Sequence, residues 1–284
     1  MSNILVLGHS GFIGTSLVQR LNSSGNHHVF LSNFRFSEST TVMQIREHIA
    51  EFPQQLTIIN AVGYGLGTTS AQHSHLWASN TLWPISLTEA LNTFRQKSRV
   101  LIHLASTLEA LHHTGESKYA DSKGIATKRL QELRATGQTP VSIMWLSNVY
   151  GPNQPRGRFI ADLIDAARTP TMFPLRWPER RRRFTTVMDV VAHLEQVAVS
   201  MSGEEFHRTD YVVSMSTTTS LKEARSIAFK TLTGSDYPFR QEQESEFDAF
   251  ASAPDDDYFR HHGAVSLLCN TPLETGLMIQ FLHR

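Results

Sequence analysis

Apolar and polar positions follow two different rhythms along the chain. Ile4-Leu5-Val6-Leu7 is an unbroken apolar run closed by Gly8, the pattern of a strand buried on both faces of a parallel sheet. Ile13, Leu17 and Leu21 then recur four apart, and Gly25 stands where a helix would end. Val29-Phe30-Leu31 predicts a second strand, residues 40–51 a short helix, and Leu56–Asn60 a third, fully buried strand. A helix over 83–95, a strand over Val100–Leu104, a helix over 118–135 and a strand over Val141–Leu146 continue the series. Strand–helix–strand units with short connections predict an α/β fold built on a doubly wound parallel sheet.

The order loosens after Gly151-Pro152. A helix near 157–168 precedes Pro170, Pro174, Pro178 and the basic run Arg180–Arg183. A helix carrying Val190, Val191, Leu194 and Val197 follows, then a strand at Tyr211–Val213 and a helix over 220–231. Thr217–Ser220 suits the N-cap region of that helix. A polar, acidic stretch over 241–257 leads to a last helix near Leu273. We therefore read 1–150 as one domain and most of 151–284 as a smaller α+β lobe, with 184–200 returning to the first domain.

Composition narrows the class without naming a reaction. The 284 residues can bury a full core with no disulfide or metal, and the single Cys269 excludes an internal disulfide and a multi-cysteine zinc site. Lys+Arg and Asp+Glu both number 26, and this balance argues against a dedicated nucleic-acid binder. No apolar run approaches the roughly 18 residues of a membrane span. The amino terminus lacks a signal-peptide pattern, so a cytoplasmic protein with neither nucleic acid nor membrane as partner is expected.

Chemistry enters at Gly8-His9-Ser10-Gly11-Phe12-Ile13-Gly14, between the first strand and the first helix. A dinucleotide diphosphate needs a tight turn, close backbone approach and a helix N-terminus with free N–H groups, which this G-x-x-G-x-x-G provides. An acidic residue at the end of the second strand would hold the ribose 2′-hydroxyl of NAD. Here Leu31-Ser32-Asn33-Phe34-Arg35 has no carboxylate, and Ser32, Asn33 and Arg35 suit a 2′-phosphate; NADP(H) is favoured over NAD(H). Further on, Tyr119 and Lys123 lie four apart, on one face of a helix. A phenol ordinarily near pKa ~10 needs such a cation to act as a general acid or base at neutral pH. Ser106 and Thr107 follow a strand's carboxyl end, where ligands bind in such sheets.

With these elements in order, the chain resembles the extended short-chain dehydrogenase/reductase family of nucleotide-sugar epimerases, dehydratases and ketoreductases, over nearly its whole length. The likeness rests on Gly8–Gly14, Asn60–Gly63, Asn80 with Leu87, Glu89 and Ala90, Leu104–Thr107, Tyr119–Lys123 and, most specifically, Ser147-Asn148-Val149-Tyr150-Gly151-Pro152. Arg182 to Phe184 with Val187, Asp189 and Val190, then Tyr211–Thr217 with Ser220–Glu223, and Leu273 to Leu277 extend it. It implies a Rossmann-type domain over 1–150 and a C-terminal substrate lobe. It also implies Tyr119 as general acid/base, Lys123 as its pKa partner and ribose ligand, and Thr107 as the carbonyl-binding hydroxyl. Cofactor contacts are implied from Gly8, Ser10, Gly11, Phe12, Ile13, Gly14, Ala61, Val62, Gly63, Asn80, Ala105, Leu146 and Val149, and substrate diphosphate contacts from Asn148 and Arg182. A homodimer through the helices at 83–95 and 118–135 would follow the family's common arrangement.

The departures from the family select among its reactions. The dehydratase branch carries Asp-Glu after its threonine; here Thr107-Leu108-Glu109 lacks the aspartate, which disfavours elimination. Leu31 to Thr57 is too short for the family's full third strand and adenine-side aspartate, so a dissociable NADPH fits better than a retained NAD. The fourteen histidines include three adjacent pairs but no i, i+4 metal motif, and no metal is expected. Trp145, where the family often has arginine, and Trp177 are read as packing. The leading reading is a ketoreductase acting on a nucleotide-linked keto-deoxysugar. A nucleotide-sugar epimerase with retained NAD is the alternative, and a non-catalytic NAD(P)-sensing protein a further one.

Overall fold

The first apolar run is buried on both sides because helices cover both faces of the sheet it enters. The computed structural model describes residues 1–64, 73–94, 99–106, 118–136, 141–169, 171–175, 177–201, 209–238 and 264–283. Its first half runs β1 (Ser2–Leu7), α1 (Phe12–Ser24), β2 (His27–Leu31), α2 (Val42–Ala50), β3 (Leu56–Asn60), α3 (His73–Trp77), a π turn (Ala78–Leu82), α4 (Trp83–Asn92), β4 (Arg99–Ser106), α5 (Lys118–Thr136) and β5 (Val141–Leu146). The second half runs β6 (Asn148–Tyr150), α6 (Phe159–Arg168), β7 (Arg181–Arg182), β8 (Phe184–Thr186), α7 (Val187–Ser200), β9 (Tyr211–Met215), β10 (Thr219–Ser220), α8 (Leu221–Thr233), β11 (Val265–Cys269) and α9 (Leu273–Leu282).

Seven strands form one parallel sheet in the order β11-β9-β5-β4-β3-β1-β2. Successive residues of β1 serve opposite cores. Ile4 and Val6 pack with Leu17 and Leu21 of α1 and Val190, Val191 and Leu194 of α7. Leu5 and Leu7 pack with Ile45 and Ile49 of α2, Leu87 and Leu91 of α4 and Leu130 of α5. Trp145 belongs to this second cluster, which gives it the packing role expected. A third cluster joins α6, α8 and α9 through Leu163, Ile164, Ala228, Phe229 and Leu277, with Tyr150 and Phe184 beneath. Among the described residues no helix is long and apolar enough to cross a membrane.

Within 184–200, helix α7 packs against α1, and two later segments enter the main sheet itself. Strand β9 pairs with β5, and β11 with β9, so residues 211–215 and 265–269 supply one edge. At the other edge lies β2; residues 32–41 hold no strand and lead directly to α2, whose N-cap is Thr41 in a capping box with Gln44. The missing third strand expected from chain length is thus absent there.

An ion pair fastens α5 to the sheet. Asp210, 6% exposed, takes Arg134 Nη1 at 2.5 Å and Nη2 at 3.3 Å, Gln131 Nε2 at 3.4 Å and the Ile143 N–H at 3.1 Å. Truncating one partner of such a pair strands the other charge in a poorly solvated place. Asp210→Ala is therefore expected to cost about 3 kcal/mol, read as a lower urea midpoint. An unchanged midpoint would show that water replaces the carboxylate at no cost.

Candidate active site

The glycine turn sits past the carboxyl end of β1, and its geometry leaves no room for side chains. Gly8 has φ +79°, and a Cβ there would lie 2.8 Å from the backbone of Ala61 and Val62. At Gly14 a Cβ would meet the Gly8 carbonyl oxygen at 2.1 Å. The Gly11 N–H donates to Gly8 O at 3.0 Å, and Thr15 Oγ1 to His9 O at 3.1 Å, which closes the turn. Gly11 is the N-cap of α1, no side chain caps it, and no acidic residue stands in the first turn. Ser10 and Gly11 are exposed. The uncapped N–H groups at a positive helix end, next to glycines that let a ligand approach, suit a diphosphate.

Three further segments converge beside this turn. The Ala61 N–H donates to Leu7 O at 3.0 Å, holding 61–63 against the end of β1. Buried Asn80, in the π turn, accepts the Tyr64 N–H at 2.9 Å and donates to Tyr64 O at 3.0 Å and Ser122 Oγ at 3.2 Å. Thr81 Oγ1 donates to Ser122 O at 2.7 Å. The π turn thus locks the strand-end segment to the start of α5. Such irregular turns recur at functional sites because one extra residue re-aims a side chain. Lys123 is 9% exposed, and its Nζ lies 3.3 Å from where a Cβ of Gly63 would stand and 5.9 Å from the centre of the Tyr119 ring. Glycine at 63 gives the ammonium its place.

Behind Lys123 lies a network that the sequence reading missed. Asn60 Oδ1 accepts Trp83 Nε1–H at 3.0 Å and the Val62 N–H at 3.3 Å, so its Nδ2 donates to His103 Nδ1 at 3.1 Å. His103 therefore carries its proton on Nε2. Burial, and then the positive charge of Lys123, push its pKa down from 6.5 to about 3. Because the unfolded chain binds this proton below pH 6.5 and the folded one does not, stability is full above that pH and is lost as pH falls toward about 3. Removing the titration by His103→Gln is expected to flatten the acid limb by up to about 1.4 kcal/mol per pH unit. An identical slope in urea unfolding between pH 6 and 4 would contradict this.

Other expected site residues occupy varied surroundings. Ala105 and Leu146 are buried near the ends of β4 and β5, and Val149 packs on the first cluster. Phe12 and Ile13 also pack there. Ser32 turns inward, its Oγ 2.7 Å from His48 Nε2 and accepting the Phe34 N–H at 3.1 Å, whereas Asn33 and Arg35 are exposed. Asn148 sits where β6 pairs with β8; its N–H donates to Arg183 O at 3.0 Å and its Nδ2 to the same oxygen at 3.4 Å. Arg182 pairs with Thr219 across β7 and β10 and donates from Nη1 to Arg181 O at 2.9 Å. Within the basic run, Arg180 stacks 4.2 Å from the Trp177 ring, and Arg181 binds Thr218 O at 2.7 Å and Glu223 at 3.4 Å, so both serve the local structure. Thr107, His112, His113 and the acidic stretch 241–257 lie outside the described residues, as does the side chain of Ser106. Among the described residues, no group of three or more His, Cys, Asp or Glu could hold a metal ion. Burial pushes the Cys269 thiol up to about 12, which leaves it unreactive.

A glycine turn on an uncapped helix, with a buried lysine and a tyrosine at the start of α5, sits on a doubly wound parallel sheet. The chain belongs to the NAD dependent epimerase/dehydratase family, whose model matches residues 4–213. This agrees with the resemblance carried by its motifs. No curated protein sequence matches it significantly. Among solved structures, it is similar to dTDP-glucose 4,6-dehydratase from Bacillus anthracis in complex with NAD, at 17% identity and TM-score 0.76 over 100% of this chain and 96% of that one. The enzyme WbmF of Bordetella bronchiseptica in complex with NADH matches at 19% identity and TM-score 0.73, over 99% of this chain and 91% of its own. RMD from Pseudomonas aeruginosa, complexed with NADPH, matches at 14% identity and TM-score 0.74, over 100% and 98%. At these identities the likeness establishes the fold.

Proposed function

We propose that the protein is an NADPH-dependent reductase of a keto group on a nucleotide-linked sugar. The observation that carries this reading is buried Lys123, whose Nζ lies 5.9 Å from the centre of the Tyr119 ring and 3.3 Å from where a Cβ of Gly63 would stand. The glycines at 8, 11 and 14 and the N-terminus of α1 would hold the diphosphate of the cofactor, and Asn33 and Arg35 its 2′-phosphate. Their exposure supports this, as does the want of a carboxylate in Ser32–Phe36. Ser32 adds less, because its hydroxyl is committed to His48. When bound, the nicotinamide supplies the hydride. Tyr119 donates its phenolic proton to the substrate's carbonyl oxygen, and Lys123 stabilises the phenolate left behind. Thr107 would hold the same oxygen, and Asn148 and Arg182 the substrate's diphosphate. Exposed Leu82 and Ile125, beside and on the helices expected to pair, support a homodimer.

Three considerations favour reduction over the other family chemistries. Thr107 lacks the following aspartate of the dehydratases. An epimerase must retain one nicotinamide through both hydride transfers, yet the sheet ends at β2 and offers no further strand on the adenine side. A sensor would need neither Tyr119 nor Lys123. The test is to release and identify any co-purified cofactor, then follow NADPH oxidation with dTDP- and UDP-linked 4-keto-sugars. Consumption of NADPH with one of them is the expected result. Stoichiometric, tightly bound NAD without NADPH turnover would replace the reductase with the epimerase.

A further inference from the structure

A pocket lies at the opposite end of the sheet from the glycine turn, where the carboxyl ends of α2 and α4 meet the first residue of β4. It has a volume of about 450 Å³, and Arg46, Phe52, Thr93, Phe94 and Arg99 are among the residues that line it. Arg99 is 6% exposed; its guanidinium carbon stands 4.0 Å from the centre of the Phe94 ring, and its buried Nε–H has no hydrogen-bond partner. The guanidinium of Arg46 lies 5.5 Å from the same ring centre, and among the described residues its hydrogen bond goes to the weak acceptor Met43 Sδ at 3.9 Å. No carboxylate lines the pocket among the described residues.

This arrangement is electrostatically incomplete. A guanidinium stays charged even where burial lowers its pKa, as it does for Arg99. One aromatic ring attracts a cation only modestly, and here two guanidiniums of like charge approach the same Phe94 ring. Proteins pair buried charges with counter-charges, and the described lining of this pocket brings none.

We propose that the pocket binds a phosphate group held between Arg46 and Arg99. Two forked guanidiniums match a dianionic phosphate in both charge and donor geometry better than a single carboxylate. The volume exceeds what a bare phosphate needs, and Phe52 offers an apolar wall for an organic body. The site is separate from the glycine turn, since the two lie at opposite ends of a parallel sheet, and it stands independently of the chemistry at Tyr119.

Titration calorimetry of the whole protein at constant ionic strength tests this, with inorganic phosphate and phenyl phosphate as probes. Saturable binding is expected in the wild type and about tenfold weaker binding in Arg46→Gln, a partly exposed position whose change leaves the core intact. Arg99→Gln is expected to weaken it at least as much. Equal affinity for both probes assigns the pocket to free phosphate, and tighter phenyl phosphate assigns it to an organic phosphate; either supports the site. Unchanged binding in Arg46→Gln would place the phosphate elsewhere, at the glycine turn, and overturn the proposal. Absence of binding to the wild type would do the same.

Discussion

Replacing Tyr119 with phenylalanine is expected to lower turnover by about 10³-fold while nicotinamide nucleotide affinity stays within roughly twofold. The substitution removes one oxygen and keeps the ring, so the packing at the start of α5 survives. Lys123, 9% exposed and lodged against Gly63, keeps its position because the hydrogen bond from Asn80 to Ser122 holds the start of that helix. On the proposed reading, what is lost is the proton that neutralises the developing alkoxide, and buried His103, neutral down to about pH 3, is no substitute for it. Stopped turnover with intact NADPH binding by fluorescence titration is the signature of an acid. Parallel loss of both would make Tyr119 a structural residue, and unchanged turnover would remove it from the chemistry.

Gly14→Ala carries the second large effect. Its Cβ would sit 2.1 Å from the Gly8 carbonyl oxygen and 2.8 Å from both the Gly8 carbonyl carbon and His9 Cα. All three are backbone atoms, so relief requires moving the turn away from α1. Stability should fall by about 3 kcal/mol, and NADPH affinity by two orders of magnitude or so, because the displaced N–H groups no longer converge. Gly25→Ala supplies the comparison: φ is +66° but nothing lies within 4 Å. There the cost is about 1 kcal/mol of backbone strain, with cofactor affinity unchanged. Equal behaviour of the two variants in thermal unfolding and NADPH titration would refute the crowded-turn account.

The alternating elements of the first half were legible because burial on both faces leaves apolar runs too short for a helix and bounded by turn residues such as Gly8. β3 and β5 fall on the residues expected, and α5 within one residue. The glycine turn and the Tyr119–Lys123 pair were legible for a different reason: their spacing is dictated by a ligand. Other features left little trace. The helix expected from 83 begins there as α4, but α3 and the π turn before it, His73–Leu82, left little trace, since a π turn shifts the 3.6-residue rhythm on which helix reading depends. β11 is half exposed and short, and Val265-Ser266-Leu267-Leu268-Cys269 reads equally well as a loop. Asn60, Trp83 and His103 come from three elements, and only the folded sheet brings them together. Asp210 precedes a strand by one residue, and its partner on α5 is 76 positions away.

The order of strands in the sheet also bears on synthesis. Every segment around the glycine turn, from Gly8 to Lys123, has been translated by the time β5 is complete. The edge of β5 nevertheless stays unpaired until Tyr211 arrives, and β9 in turn waits for Val265. The outer face of α1 is bare until α7 brings Glu195 to Arg20. A ribosome-bound chain of this protein therefore spends many seconds displaying an open β edge and an apolar helix face. Nucleotide captured early by the finished half would hold it together through that interval, so cofactor supply during expression should govern how much protein escapes aggregation.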